Sequence, residues 1–161
     1  MQHSRQVSDL ALDIARACRL DLNQAEIEAG AMLHDIGICL TSAPGIGCEG
    51  TSRYICHGPL GAQLLRDEGA PEYCARIAET HTGAGITAAD VELLNLPIPV
   101  ADYCPQTLLE KLVCYADKFY SKSGDMKRKS FRQARSLISR HGGDALRRFD
   151  ALAALFPLPQ D

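Results

Sequence analysis

Six side chains of this sequence have the donor chemistry of first-row metal ligands: His3, His34, Asp35, His57, His81 and Asp117. Two of them are adjacent, in "AMLHDIGICL", where the apolar run Ala31, Met32 and Leu33 delivers His34 and Asp35 side by side before Gly37. Carrying two polar groups into an apolar site costs several kcal/mol unless something satisfies them, and a bound metal ion does so. Four histidines and two carboxylates suit iron, zinc, nickel or manganese. The set exceeds the three or four protein ligands of a single zinc. It fits two ions with one carboxylate bridging. Two-metal sites hold their ions about 3.5–4 Å apart and stabilise both the attacking and the leaving oxygen in phosphoryl transfer.

Helices must position these groups. Val7, Leu10, Ala11 and Ile14 repeat at helical spacing, with His3 one turn earlier on the same face. Asp21 with Gln24 reads as a capping box for a helix through Ala25, Ala29, Met32 and Leu33 to the His-Asp pair. Residues 37–56 are rich in Gly, Ser and Thr and read as a long loop of the kind that often carries function. His57-Gly58-Pro59 opens the next helix, which Gly69 ends, and Pro71 opens another that carries His81 one turn after Ile77. Thr87 caps a short helix over "TAADVELLNL". Thr107 with Glu110 reads as a second capping box, opening a helix through Leu108, Leu112, Val113 and Ala116 to Asp117. A basic amphipathic helix through Phe131, Ala134, Leu137 and Ile138 stops near Gly142, and a last helix starts at Asp144. With no strong strand pattern, the expected fold is all-α.

The order His … His-Asp … Asp resembles the signature of the HD superfamily of metal-dependent phosphohydrolases. "MLHDIG" is similar to the string that defines its HDIG subgroup. "HSRQVSDLALDIA" resembles the family's first motif, "HGPLGAQLL" and "HTGAGIT" the two further histidine motifs of its dinuclear branch, and "LVCYADKFY" its closing Asp motif. The resemblance implies one compact HD-domain helical bundle over residues 1–161 with a metal site at its centre. It implies that His3, His34, Asp35 and Asp117 hold one ion, and that Asp35 bridges to a second held by His57 and His81. The ions are divalent first-row metals, iron or manganese foremost, with nickel, zinc or magnesium as alternatives. One departure stands out: His81 is followed by Thr82, where some dinuclear members carry paired histidines. The implied activity is hydrolysis of a phosphate ester, nucleotide or dinucleoside polyphosphate. A water or hydroxide held between the ions is the nucleophile, with Asp35 and His34 as the catalytic pair. Two rivals stand beside it: a mixed-valent di-iron oxygenase, which shares the six-ligand order, and a non-catalytic nucleotide-sensing module, against which the intact ligand set argues.

Composition sets the remaining bounds. Apolar residues at 46% and charged residues at 23% fit a soluble globular chain. No apolar run spans a bilayer and no export signal opens the chain, so a cytoplasmic protein with no membrane partner is expected. The seven cysteines form no C-x-x-C pair and read as reduced thiols. From Lys118 to Arg148, ten Lys/Arg stand against Asp125 and Asp144, within a chain of net charge −3. That stretch reads as a solvated helix face or as a patch drawing in small phosphate-bearing substrates, a nucleotide among them. Lys118, beside Asp117, and Arg53, in the long loop, are candidate phosphate ligands. His141, at a helix end before two glycines, reads as structural. General nucleic-acid binding is not expected, because no aromatic-basic interleaving appears. A homo-oligomer is compatible with all of this.

Overall fold

The computed structural model describes residues 2–122 and 127–157. Asp125, within the basic stretch, and both ends of the expected 1–161 domain lie outside the described residues. The fold is all-α. In chain order the helices are α1 (Gln2–Ala17), α2 (Gln24–Leu33), α3 (His57–Asp67), α4 (Glu72–Thr80), α5 (Ala88–Leu93), α6 (Leu108–Asp117), α7 (Phe131–Ser139) and α8 (Gly143–Leu155).

The apolar stripe of α1 is buried as its spacing requires, with Val7, Ala11 and Ile14 fully inaccessible. It packs on α2 and α6, and α6 in turn on α8, around Leu112, Tyr115, Phe119, Phe149 and Phe156. A second, smaller cluster joins α3 to α4 through Ala62, Leu65, Cys74, Ala75 and Ala78. Small residues on both sides of that contact let the two helices approach closely, which brings His57 and His81 within reach of each other.

Several local expectations are corrected. Asn23, not Asp21, caps α2, accepting the Ala25 N–H at 2.9 Å. Thr107 caps α6, but Glu110 does not return to the Thr107 N–H. Its carboxylate accepts the Gln106 N–H at 2.9 Å and the Thr107 hydroxyl at 3.2 Å. Reciprocal capping boxes form instead at Thr87–Asp90 and at Ser130–Gln133. The 37–56 segment is not structureless. Three 3₁₀ turns, Ile36–Leu40, Pro44–Ile46 and Tyr54–Cys56, flank a hairpin of β1 (Ser42–Ala43) and β2 (Cys48–Glu49), antiparallel with Ser42 opposite Glu49. Two-residue strands carry no alternation to read. Among the described residues no helix is long and apolar enough to cross a membrane.

Candidate metal centre and the cleft beside it

All six expected ligand residues converge, each from the end of a helix. His3 lies in the first turn of α1 and His57 opens α3. His34 and His81 are the residues at which α2 and α4 end, and Asp117 is the last residue of α6. Three helices thus direct their C-terminal, electronegative ends toward this region, which favours a cation there. Asp35 follows at φ −102°, ψ 9°, the sparsely populated bridge region where many active-site residues sit. Gly37 permits the close packing that follows. A Cβ on it would lie 2.1 Å from the His57 carbonyl oxygen and 2.4 Å from the Gly61 nitrogen, so α3 packs directly onto this backbone.

The ligand atoms form two sets that share Asp35. In the first, His3 Nε2 lies 2.9 Å from Asp117 Oδ1 and 3.4 Å from Asp35 Oδ2, and His34 Nε2 lies 3.2 Å from Asp35 Oδ2 and 3.4 Å from Asp117 Oδ1. In the second, Asp35 Oδ1 lies 3.1 Å from His81 Nε2 and 3.6 Å from His57 Nε2, and the two histidine nitrogens are 3.0 Å apart. One oxygen of Asp35 therefore faces each set.

Three of the histidines are oriented in the same way. His34, His57 and His81 each direct Nδ1 at the carbonyl oxygen three residues earlier, Ala31, Tyr54 and Ala78, at 2.6, 2.7 and 2.8 Å. An Nδ1–H donated there leaves the Nε2 lone pair turned inward, as metal-ligating histidines require. The residues present fit a metal ion on a direct test. His34 Nε2 is buried and, despite its short carboxylate contacts, makes no hydrogen bond with either. Such an orphan is costly unless a further group completes it.

The electrostatics point the same way. Burial alone would lower the His34 pKa, yet Asp35 and Asp117 outweigh it and push it up to about 9. Burial would raise both carboxylates. For Asp35, His34 and His81 overcome that and hold it well below the usual range; for Asp117, Lys118 and Lys122 do so. His57 is driven down to about 3 by burial, then by His81 and Lys122, and burial also lowers His81. The site carries a strong preference for positive charge at its carboxylates and two neutral imidazoles beside them.

The remaining candidates are placed unevenly. The Lys118 side chain is only 8% exposed, and its ammonium donates to Asp117 Oδ2 at 2.6 Å and to the His81 carbonyl at 2.8 Å. It ties α6 to the end of α4. Arg53 is exposed at the start of the Tyr54–Cys56 turn and does not line the cleft described below, contrary to expectation. His141 does line that cleft. The residue that sequence reasoning grouped wrongly is Lys122. It is not one of a row of solvated cations. Its Nζ lies 3.1 Å from Asp35 Oδ1 and 5.6 Å from the Tyr54 ring centre. Burial would lower its pKa, but Asp117 and Asp35 raise it. Elsewhere in the basic stretch, Arg135 pairs with Asp150 at 2.8 Å, Arg148 with Asp90 at 2.7 Å, and Arg147 with Asp144.

A cleft of about 390 Å³ opens directly on the second ligand set. His57, His81, Asp117, Lys118 and Lys122 line it on that side. Ile86, Leu94, Leu96, Ile138 and Ala145 make much of its remaining wall apolar.

Comparison with known proteins agrees with this architecture. A family model described as the HD domain matches residues 1–121, and the chain belongs to that family. An uncharacterized protein of Methanocaldococcus jannaschii is 39% identical over 120 residues, 73% of this chain and 63% of that protein. Proteins described as tRNA (cytidine(56)-2'-O)-methyltransferase from Thermoplasma volcanium and Picrophilus torridus are each 36% identical over 121 residues, 75% of this chain and 31% of theirs. The chain thus spans less than two thirds of the length of these relatives. Among solved structures, the HD domain of the L. monocytogenes phosphodiesterase PgpH superposes with a TM-score of 0.56 at 17% identity, covering 95% of this chain and 89% of that one. The same domain in complex with cyclic-di-AMP gives 0.55 at 16% identity, covering 99% and 92%. At that identity the likeness concerns the fold.

Proposed function

We propose that this chain is a divalent-metal-dependent phosphohydrolase acting on a small nucleotide phosphate ester. The observation that carries the reading is the sharing of Asp35 between two ligand sets beside a cleft that receives the ammonium of Lys122. His3, His34, Asp35 and Asp117 would hold one ion, and Asp35, His57 and His81 the other. Bound there, divalent ions supply Lewis acidity toward phosphoryl oxygens and lower the pKa of a coordinated water.

The protein groups do the rest. Asp35 and Asp117 remain carboxylates at any working pH and so act as ligands and hydrogen-bond acceptors, not as acids. His34, His57 and His81 are aimed by their own helices through Nδ1. Lys118 fixes Asp117 against the His81 carbonyl. Lys122, close to Asp35 and lining the cleft, is the cation available to phosphoryl oxygens in place of Arg53. The Thr82 hydroxyl lies 3.4 Å from His57 Nε2 and would offer a further oxygen to an ion held by that set. Hydrolysis adds water across the P–O bond and releases a phosphate and an alcohol. Membership of the HD family supports the reaction class, and the cyclic-di-AMP complex of the PgpH domain supports a nucleotide as ligand.

The test is phosphate-ester turnover by chelator-treated protein reloaded separately with iron, manganese, nickel, zinc or magnesium, with and without oxygen. The panel covers nucleoside monophosphates, cyclic dinucleotides, dinucleoside polyphosphates and simple aryl phosphates. Oxygen-independent hydrolysis of at least one nucleotide is expected. Turnover that requires oxygen, or none with any metal, overturns the proposal.

A further inference from the structure

Resting on that reading, we infer that the part of the cleft lined by Ile86, Leu94, Asp90 and Arg148 is a nucleobase subsite, in which Arg148 Nε–H donates to a ring nitrogen or carbonyl of the base. The guanidinium is fixed from one side only. Its Nη2 donates to the Gly85 carbonyl at 3.0 Å and to Asp90 Oδ2 at 2.7 Å. Its Nε is buried with no hydrogen-bond partner. A buried donor left unmatched costs free energy that a ligand acceptor would recover, and a small turn of the quarter-exposed Arg148 side chain brings it to the cleft.

Beside it, Asp90 Oδ2 already accepts from the Thr87 N–H at 2.9 Å and from Arg148, while Oδ1 makes no hydrogen bond among the described residues. One donor next to one acceptor matches the edge of a nucleobase, where an acceptor nitrogen or carbonyl neighbours an N–H. The walls suit the rest of such a ring. Ile86, Leu94, Leu96 and Ile138 are apolar, and ligand sites for flat organic groups combine walls of this kind with a few placed polar groups.

The span also fits. Gly85, which holds Arg148, is four residues from His81, so the chain between them reaches at most about 14 Å. That ceiling, shortened by the turn in which the Gly85 N–H donates to the Thr82 carbonyl at 3.1 Å, keeps Arg148 within reach of one nucleoside phosphate from the ligand set. A cleft of about 390 Å³ lies near the lower end of ligand-site sizes and takes one nucleoside, not two.

The experiment measures equilibrium binding, by calorimetry and without oxygen, of nucleoside 5′-phosphonates against methylphosphonate on metal-loaded protein. Phosphonates are not hydrolysed, so this result is independent of the turnover panel, whose failure would sink the hydrolase reading alone. Wild-type protein should prefer the nucleoside compounds at least about 10-fold. Arg148→Lys keeps a cation facing Asp90 but lacks the Nε–H, and should reduce that preference about 10-fold. Leu94→Ala, at a largely exposed position that leaves folding intact, should reduce it about threefold. A wild-type protein without preference, or a preference unmoved by both substitutions, overturns the inference. Thermal unfolding identifies a variant that has merely lost its fold, and Leu94→Ala then decides.

Discussion

His57 Nε2 and His81 Nε2 face each other across 3.0 Å, although each ring already directs Nδ1 at a carbonyl of its own chain. Two inward lone pairs at that distance repel unless a cation lies between or beside them, and Asp35 Oδ1 completes the set. His81→Ala is therefore expected to lower bound metal from two ions per chain toward one, with loss of most turnover. Asp35→Ala, which removes an oxygen from both sets, should lower it toward none. Metal analysis of both variants reads this directly, and unchanged stoichiometry in His81→Ala would remove the second ion from the scheme.

The His34 pKa sets a pH dependence whose sign follows from its direction. Raised from 6.5 to about 9, it contributes stability that is complete below 6.5 and lost as pH climbs through about 9. Chelator-treated protein should melt at progressively lower temperature across that window. Metal-loaded protein should behave in the opposite way. The ion displaces the His34 proton, so metal affinity should rise about tenfold per pH unit until His34 is neutral. Melting curves with and without metal that run parallel from pH 6.5 to 9 would contradict both halves.

Lys122 and its basic neighbours should separate by salt. Lys122→Met removes a cation 3.1 Å from Asp35, and kcat/KM for a phosphate ester should fall about 10–100-fold at any ionic strength. Joint neutralisation of Lys127 and Arg128, both exposed, should matter only at low salt, because exposed charges are screened within about 8–10 Å. A Lys122→Met effect that vanishes at high salt would return this lysine to the solvated face.

Gly37→Ala should be costly out of proportion to one methyl group. The new Cβ would meet backbone, the His57 carbonyl and the Gly61 nitrogen, and backbone cannot swing aside. A loss of about 3 kcal/mol is expected, together with weaker occupancy of the His57–His81 set. Gly45→Ala, with nothing near its would-be Cβ, is the control and should be neutral in the same denaturant titration.

The helices and the six converging residues were legible because both are written in local signals. Apolar period fixes a helix's buried face, and each of these residues sits where a period starts or stops. Cap choice was less legible. Asp21, Asn23 and Gln24 lie within one turn, and only the final backbone geometry selects Asn23. The hairpin at Ser42–Glu49 is too short for any period to appear. Lys122 follows the end of α6, where no repeat says which way a side chain turns, so its contact with Asp35 belongs to tertiary structure alone. Arg53 shows the converse. Proximity in sequence to His57 did not bring it to the cleft. Arg148 lies far from every motif, and its place in the cleft wall depends on how α8 packs.

Every residue of the two ligand sets lies at or before Asp117, whereas Ile138, His141, Ala145 and Arg148 of the cleft wall all lie beyond residue 121, where the family match stops. The wall is therefore split: Ile86, Asp90, Leu94 and Leu96 are interleaved with the ligand residues, between His81 and Asp117, and the remainder follows them. Mutation beyond residue 121 can revise that second part of the wall without touching a ligand residue. A lineage could keep both ligand sets intact while exchanging its last two helices, and so reshape that part of the cleft alone.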